Sequence, residues 1–196
     1  RIVGCIADAV GAPVFGGGIE LGCHALGKGR PLTLGHLFEG FSGGRFMPLF
    51  IVGLIYLGAM FVLWIGVIAV VLGVAGGAGL FSAFSSDPSQ MGTALLSSIG
   101  LVALVLVPLA LVAVAALTMA YWFAPPLIVL NGEEPIAAMK KSFRACWVNM
   151  GATLVYGLIG IGLAIVASIP FGLGWIVLAP VMAGSWYASW RATFGA

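Results

Sequence analysis

Charge is what this chain has least of. Asp, Glu, Lys and Arg make up 7% of its 196 residues, against roughly 25% in soluble domains. That shortage excludes an ordinary water-soluble fold, because a soluble domain of this size must turn much of its surface to water. The formal net charge is only +2, and nothing points to a nucleic acid partner. Three cysteines, Cys5, Cys23 and Cys146, are too few and too widely spaced for a disulfide framework. On a straight helix Cys5 and Cys23 stand about 27 Å apart at 1.5 Å per residue, out of bonding reach. All three read as small buried apolar residues.

Catalytic signatures are also missing. There is no phosphate-binding GxxxxGK loop, no HExxH and no GxSxG. His24 and His36 are the only histidines. Cys23 beside His24 falls short of the three or four protein ligands that zinc takes. The sequence therefore predicts no cofactor, no metal and no enzymatic activity.

What the chain does have is long apolar runs. Phe46–Ser86, Pro88–Gly132 and Ala145–Trp190 hold no Asp, Glu, Lys or Arg. A membrane-spanning helix needs about 20 apolar residues. The expected architecture is an all-α integral membrane protein, a single transmembrane domain over 1–196 with about five spans. These are placed at 2–26, read as an irregular or re-entrant span, and at 47–72, 93–123, 150–169 and 172–190. Residues 74–92, rich in Gly and Ser around Asp87-Pro88, read as a loop. Pro108 is expected to kink the third span, Ala124-Pro125-Pro126 to end or bend it, and a tight turn at Pro170 to join the last two. The first residue is Arg1, so a further N-terminal segment is expected ahead of it.

Every Lys and Arg except Arg1 falls in three places: Lys28, Arg30 and Arg45; Lys140, Lys141 and Arg144; and Arg191. Five crossings put all three on one side, which the positive-inside rule makes the cytoplasm. The C-terminus is expected there too. Trp122, Trp147, Trp186 and Trp190 fall near span ends, where aromatic belts form.

Two short interfacial helices are expected, at 31–41 and 135–148. Pro135 suits a first helical position, and Glu133-Glu134 complement the helix N-terminus. Ile136, Met139, Phe143 and Trp147 share one face, and Lys140, Lys141 and Arg144 occupy the rest. An apolar face opposite a basic one lies in the membrane interface. These cations, with Lys28 and Arg30, are candidate contacts for anionic lipid headgroups, worth about 1 kcal/mol each. Pro31 with Leu34, Leu37, Phe38 and Phe41 repeats the pattern, and a duplicated unit fits both halves.

Intramembrane charges are functional suspects. Glu20 and His24 are four apart and share a helix face, so a proton or cation is a candidate ligand; a structural pair near the cytoplasmic boundary is the plainer reading. Asp8 is expected at the opposite interface beside Arg1. Pro13 with Gly16-Gly17-Gly18 reads either as a helix interruption of the transporter kind or as close helix packing. Small-residue sets at Gly18 and Gly22, at Gly160, Ala164 and Ser168, and at Gly184 and Ala188 permit tight helix contacts.

Two motifs carry a resemblance. One runs from Gly29-Arg30-Pro31 through Leu34-Gly35-His36-Leu37-Phe38 to Gly40-Phe41. The other is Trp122-Phe123-Ala124-Pro125-Pro126-Leu127, then Pro135, Ala137-Ala138-Met139, Ser142-Phe143 and Asn149. Together they resemble a group of uncharacterised proteobacterial inner-membrane proteins, related to the YciC-like proteins and to the membrane domain attached to some glycerophosphodiesterases. The resemblance covers roughly residues 12–190. It implies a helical inner-membrane fold with a further N-terminal membrane segment and no established activity, and it carries over no catalytic residue.

The expected role is that of a non-catalytic inner-membrane protein, an accessory or structural subunit that packs against lipids and other membrane proteins or against itself. The competing expectation is a small transporter or lipid-handling protein using the broken helix at 13–18 and the Glu20/His24 pair.

Overall fold

The computed structural model describes residues 2–31, 33–83, 90–169 and 171–195. Side-chain surroundings are described outside residues 2–10, 12, 34, 37, 78–83, 90–96, 98, 99 and 101. The side chains of Cys5 and Asp8, and the expected turns at Asp87-Pro88 and Pro170, lie outside the described residues.

Among the described residues seven α-helices follow one another: α1 Ile2–Gly27, α2 Phe46–Ala83, α3 Gln90–Trp122, α4 Ala124–Asn131, α5 Pro135–Val148, α6 Met150–Ser168 and α7 Trp175–Phe194. A 3-10 helix, Leu34–Phe41, lies between the first two. No strand occurs among the described residues. An apolar medium offers backbone groups no water to bond, so helices that satisfy their own are the stable answer. Among the described residues three segments are long and apolar enough to cross a bilayer: Phe46–Gly77, Val102–Asn131 and Met150–Ser168, of 32, 30 and 19 residues. The chain is an all-α membrane protein.

Three boundaries differ from the sequence expectation. Residues 74–83 and 90–92 are helical rather than loop. Each glycine there costs a helix about 1 kcal/mol, less than the several kcal/mol of an unpaired peptide group in lipid. The first interfacial helix begins at Leu34 and is 3-10. Leu34, Leu37 and Gly40, and Gly35, Phe38 and Phe41, recur every three residues, the repeat of that helix. α7 starts at Trp175, after a turn with Phe171 and Gly172 at φ 51° and 82°.

The chain divides into two compact units, Arg1–Ile55 with Met119–Ala196, and Tyr56–Thr118. In the first, the short α4 is the centre. Ala124 to Val129 are all buried and meet Val14 of α1, Leu49 and Val52 of α2, Ala138 and Cys146 of α5, and Trp190 of α7. Gly132 closes α4 in the left-handed region at φ 69°. Its N–H reaches Ile128 O and that of Glu133 reaches Leu127 O, a glycine-terminated helix end that frees the chain to enter α5.

In the second unit, segments of α2 and α3 border an apolar cleft of about 360 Å³ lined by Leu63, Trp64, Val67, Leu106, Ala110 and Val114. Phe61, Val62, Ile65, Leu104, Val105, Leu109, Leu111 and Val112 are exposed. A helix with no polar face and bare aliphatic side chains is stable in lipid, not in water.

Candidate functional site

The glycines of α1 sit where neighbours come closest. A Cβ on Gly17 would stand 2.8 Å from Val129 Cγ2 and 3.1 Å from Leu49 Cδ1, and one on Gly16 3.5 Å from the Trp186 ring. A Cβ on Gly40 would stand 2.2 Å from the backbone oxygen of Val14. These positions let the 3-10 helix, α2, α4 and α7 approach α1. The helix interruption expected at 13–18 is therefore corrected: α1 runs unbroken through Pro13 and Gly16-Gly17-Gly18. Proline and glycine are tolerated inside membrane helices because packed neighbours support the backbone. Close packing is what these glycines do.

Glu20 lies on the same buried face and is 0% exposed. Neither of its carboxylate oxygens has a hydrogen-bond partner among the described residues. His24, one turn on, does not pair with it. Its Nδ1 lies 2.9 Å from the Tyr187 hydroxyl of α7, and its ring stands edge-on to Tyr187 and Trp190. The Trp190 indole N–H is buried and unpartnered as well. The sequence placed Glu20 and His24 on one helix face but missed Tyr187. No local pattern marks Tyr187, which lies 163 residues further along the chain.

His36 has a local task. Its Nδ1 folds back to the Thr33 backbone N–H at 3.1 Å and lies 2.7 Å from the Thr33 hydroxyl, holding the start of the 3-10 helix. Its Nε2 is 3.9 Å from Glu39.

α5 runs from Pro135 to Val148, and the face it turns to the protein carries small side chains. Ala138, Ser142 and Cys146 are buried, while Ile136 and Trp147 are exposed. The small residues admit α5 close to α4, leaving an aromatic and aliphatic face outward beside exposed Lys140 and Arg144. Phe143 stacks on Trp147 within that face. Lys141 is tied to Glu133, while Lys140 and Arg144 form no ion pair among the described residues. Lys28 and Arg30 are also exposed.

Of the four tryptophans expected in an interfacial belt, Trp147 is exposed and the other three are drawn inward. Trp190 is buried and Trp186 half-buried. Trp186 Nε1 donates to Trp122 O at 3.1 Å. Pro126 has no N–H to give that carbonyl, and an indole takes its place.

The small-residue sets part company. Gly18 and Gly22 are buried and line, with Ala179, Pro180, Ala183 and Gly184, an apolar groove of about 530 Å³. Gly160 faces Met182, to which a Cβ would come within 3.5 Å. Ala164 is half-buried. The Ser168 hydroxyl donates to Ala164 O at 2.7 Å and accepts from Trp175 Nε1 at 3.2 Å, closing the α6–α7 turn. Gly184 has open space around its Cβ position, and Ala188 is exposed. Among the described residues no side chain packs tightly on Gly184.

A second cavity, of about 540 Å³, holds the hydroxyls of Thr153, Tyr156, Ser189 and Thr193 with Asn149 and Trp122. No group of three His, Cys, Asp or Glu suited to a metal occurs among the described residues.

Neither a known family nor a solved structure matches this chain. It is similar to a curated protein of Burkholderia thailandensis named a probable inner membrane protein, with 26% identity over 214 aligned positions. These cover 99% of this chain and 77% of that relative.

Proposed function

We propose that this chain is a non-catalytic, multi-pass protein of the bacterial inner membrane, an accessory or structural subunit that packs against other membrane proteins and against lipids, anionic ones included. The carrying observation is the uncovered apolar surface. Beyond the second unit, α6 exposes Leu154, Val155, Leu158, Ile159, Ile161, Ile165 and Val166. The similar B. thailandensis protein supports the inner membrane by its name. In this reading α1 and α7 are further crossings, which brings the number to five. The ends of those two helices carry Lys28, Arg30 and Arg191, and the positive-inside rule assigns that side and the C-terminus to the cytoplasm. Kinship with the YciC-like proteins and the glycerophosphodiesterase membrane domain belongs to the same proposal, carried by the Trp122–Leu127 and Pro135–Met139 motifs.

Native mass spectrometry after extraction in mild detergent tests the role. Stoichiometric co-migration with other subunits is the expected result, and a lone chain under every mild extraction overturns it. Labelling of S86C and K140C variants tests the crossings: five crossings require opposite sides, and labelling of both from one side defeats them. Ser142 is buried and unsuited to that test.

One observation favours a second reading, a small transporter or lipid-handling protein. It is the buried Glu20 carboxylate, which has no hydrogen-bond partner among the described residues, since buried charge inside a membrane bundle marks ion and substrate paths. Unchanged transport and growth in an E20Q strain would remove it.

A further inference from the structure

The last turns of α1 and α7 meet at a cavity of about 270 Å³, lined by His24, Gly27, Lys28, Tyr187, Trp190, Arg191 and Gly195. Among the described residues no carboxylate lines it. Among the described residues the acidic groups that pair do so elsewhere, Glu39 with His36 and Glu133 with Lys141. Arg30 adds its charge to the field at His24. We propose that this cavity binds a phosphate group, with Lys28 and Arg191 as its charged ligands and the His24–Tyr187 pair as its neutral one.

The donor inventory fits an oxyanion. Lys28 brings three N–H donors and Arg191 a planar fork of five, the geometry that grips phosphate oxygens in pairs. His24 and Tyr187 share one hydrogen bond and keep one donor in either arrangement. If the Tyr187 hydroxyl donates to Nδ1, His24 Nε2–H remains; if Nδ1–H donates, the Tyr187 O–H remains. Glycine at position 27 keeps the space open, because a Cβ there would come within 3.4 Å of the Tyr187 hydroxyl. Trp190 stacks on Tyr187 at 5.7 Å between ring centres and forms the apolar wall.

Two helix C-termini point here, and their dipoles disfavour an anion by about half a charge each. Several of those carbonyls are already engaged. Arg191 O accepts the Gly195 N–H, His24 O that of Lys28, and Ala25 O that of Arg30. The full charges of Lys28, Arg191 and Arg30 outweigh what is left. The site extends the headgroup contact proposed for Lys28, but its failure would leave the packing role standing.

The shared ligand chemistry is a phosphate, from an anionic phospholipid or from a free phosphate ester. The full chain in nanodiscs separates the two sources. A photoactivatable phosphatidylglycerol is expected to crosslink to peptides spanning residues 24–30 and 187–195, and the pair K28Q/R191Q to cut that signal about tenfold. K140Q/R144Q should leave the same crosslinks in place. If free phosphate is the ligand, phosphatidylglycerol gives no such crosslink. Inorganic phosphate, but not chloride at matched ionic strength, then slows acetylation of Lys28 in phosphatidylethanolamine discs. Both readouts work on the unmodified chain, so a variant that fails to fold does not remove the test. Absence of both crosslinking and protection overturns the proposal.

Discussion

The Ser142 hydroxyl stands in for a missing turn of helix at Phe123: it accepts the Phe123 backbone N–H at 2.9 Å and donates to Met119 O at 2.6 Å. In an uninterrupted helix those two backbone groups bond to each other, since residue i donates to i−4. Pro125 and Pro126 sit where two further donors are needed, and α3 gives way to α4 at Phe123. A side chain inserted into the ladder is one of the recognised causes of such a break. S142A leaves a buried donor and a half-buried acceptor unpaired, at a cost of about 1–3 kcal/mol. The expected result is a lower thermal midpoint in detergent together with faster hydrogen exchange at the Phe123 amide. An unchanged Phe123 amide would mean that the hydroxyl does not hold the break.

Three glycines should rank by what surrounds them. At Gly40 the obstacle is the backbone of α1 at 2.2 Å, which cannot swing aside. At Gly17 it is the Cγ2 end of the Val129 side chain at 2.8 Å, and at Gly184 nothing lies within 4 Å. G40A is therefore expected to undock the 3-10 helix from α1. G17A should cost about 1–3 kcal/mol, as overpacking does. G184A should be neutral within the chain, and any loss it causes only in the native membrane marks a contact with a partner. Thermal unfolding of the three purified variants checks the order.

Much of the fold was legible because apolar run length and proline position are properties of sequence. The bounds of α5 follow from Pro135, and α6 falls within a residue of its expected end. The break at Phe123 was visible in Ala124-Pro125-Pro126; α4 as the buried centre was not, since no local pattern says which apolar segment its neighbours will surround. Glu20 was legible as an intramembrane acid, but its burial and the His24–Tyr187 bond depend on α7 reaching α1 across 163 residues of chain. The inward face of α5 was not legible for a related reason. Beside a protein the tightest contact goes to small residues, Ala138, Ser142 and Cys146, while in lipid the large ones are content to stay outside.

Cys146 offers a pH test of that same face. Its thiol is 1% exposed, and burial raises its pKa above the ordinary thiol range, only partly opposed by a hydrogen bond with Thr153. The thiolate is the reactive species, so in a C5S/C23S background maleimide labelling at pH 8 should be slow until the chain is unfolded. The folded chain holds this proton to higher pH than the unfolded one does. Its contribution to stability is therefore full below the ordinary thiol pKa of about 8.5 and falls as pH rises through it. Rapid native labelling at pH 8 would show that α5 does not pack against α4 as described.

Glu20 separates the two functional readings through the sign of a stability change. A polar group buried without a partner costs about 1–3 kcal/mol by protein substitution data. Methionine has similar length and flexibility and no hydrogen-bonding demand of this kind. If the carboxyl is as isolated as the geometry shows, E20M raises the thermal midpoint in detergent, because replacing a buried ionisable group by an apolar one of like volume is commonly stabilising. Proteins keep such costly groups where function needs them. A stabilised E20M protein that has lost a transport or growth phenotype therefore supports the transport reading. A stabilised protein with no phenotype leaves Glu20 without a functional role and favours the accessory subunit. A destabilised E20M protein contradicts the isolation itself, since it means the carboxyl gains more from its surroundings in the membrane than it loses by burial.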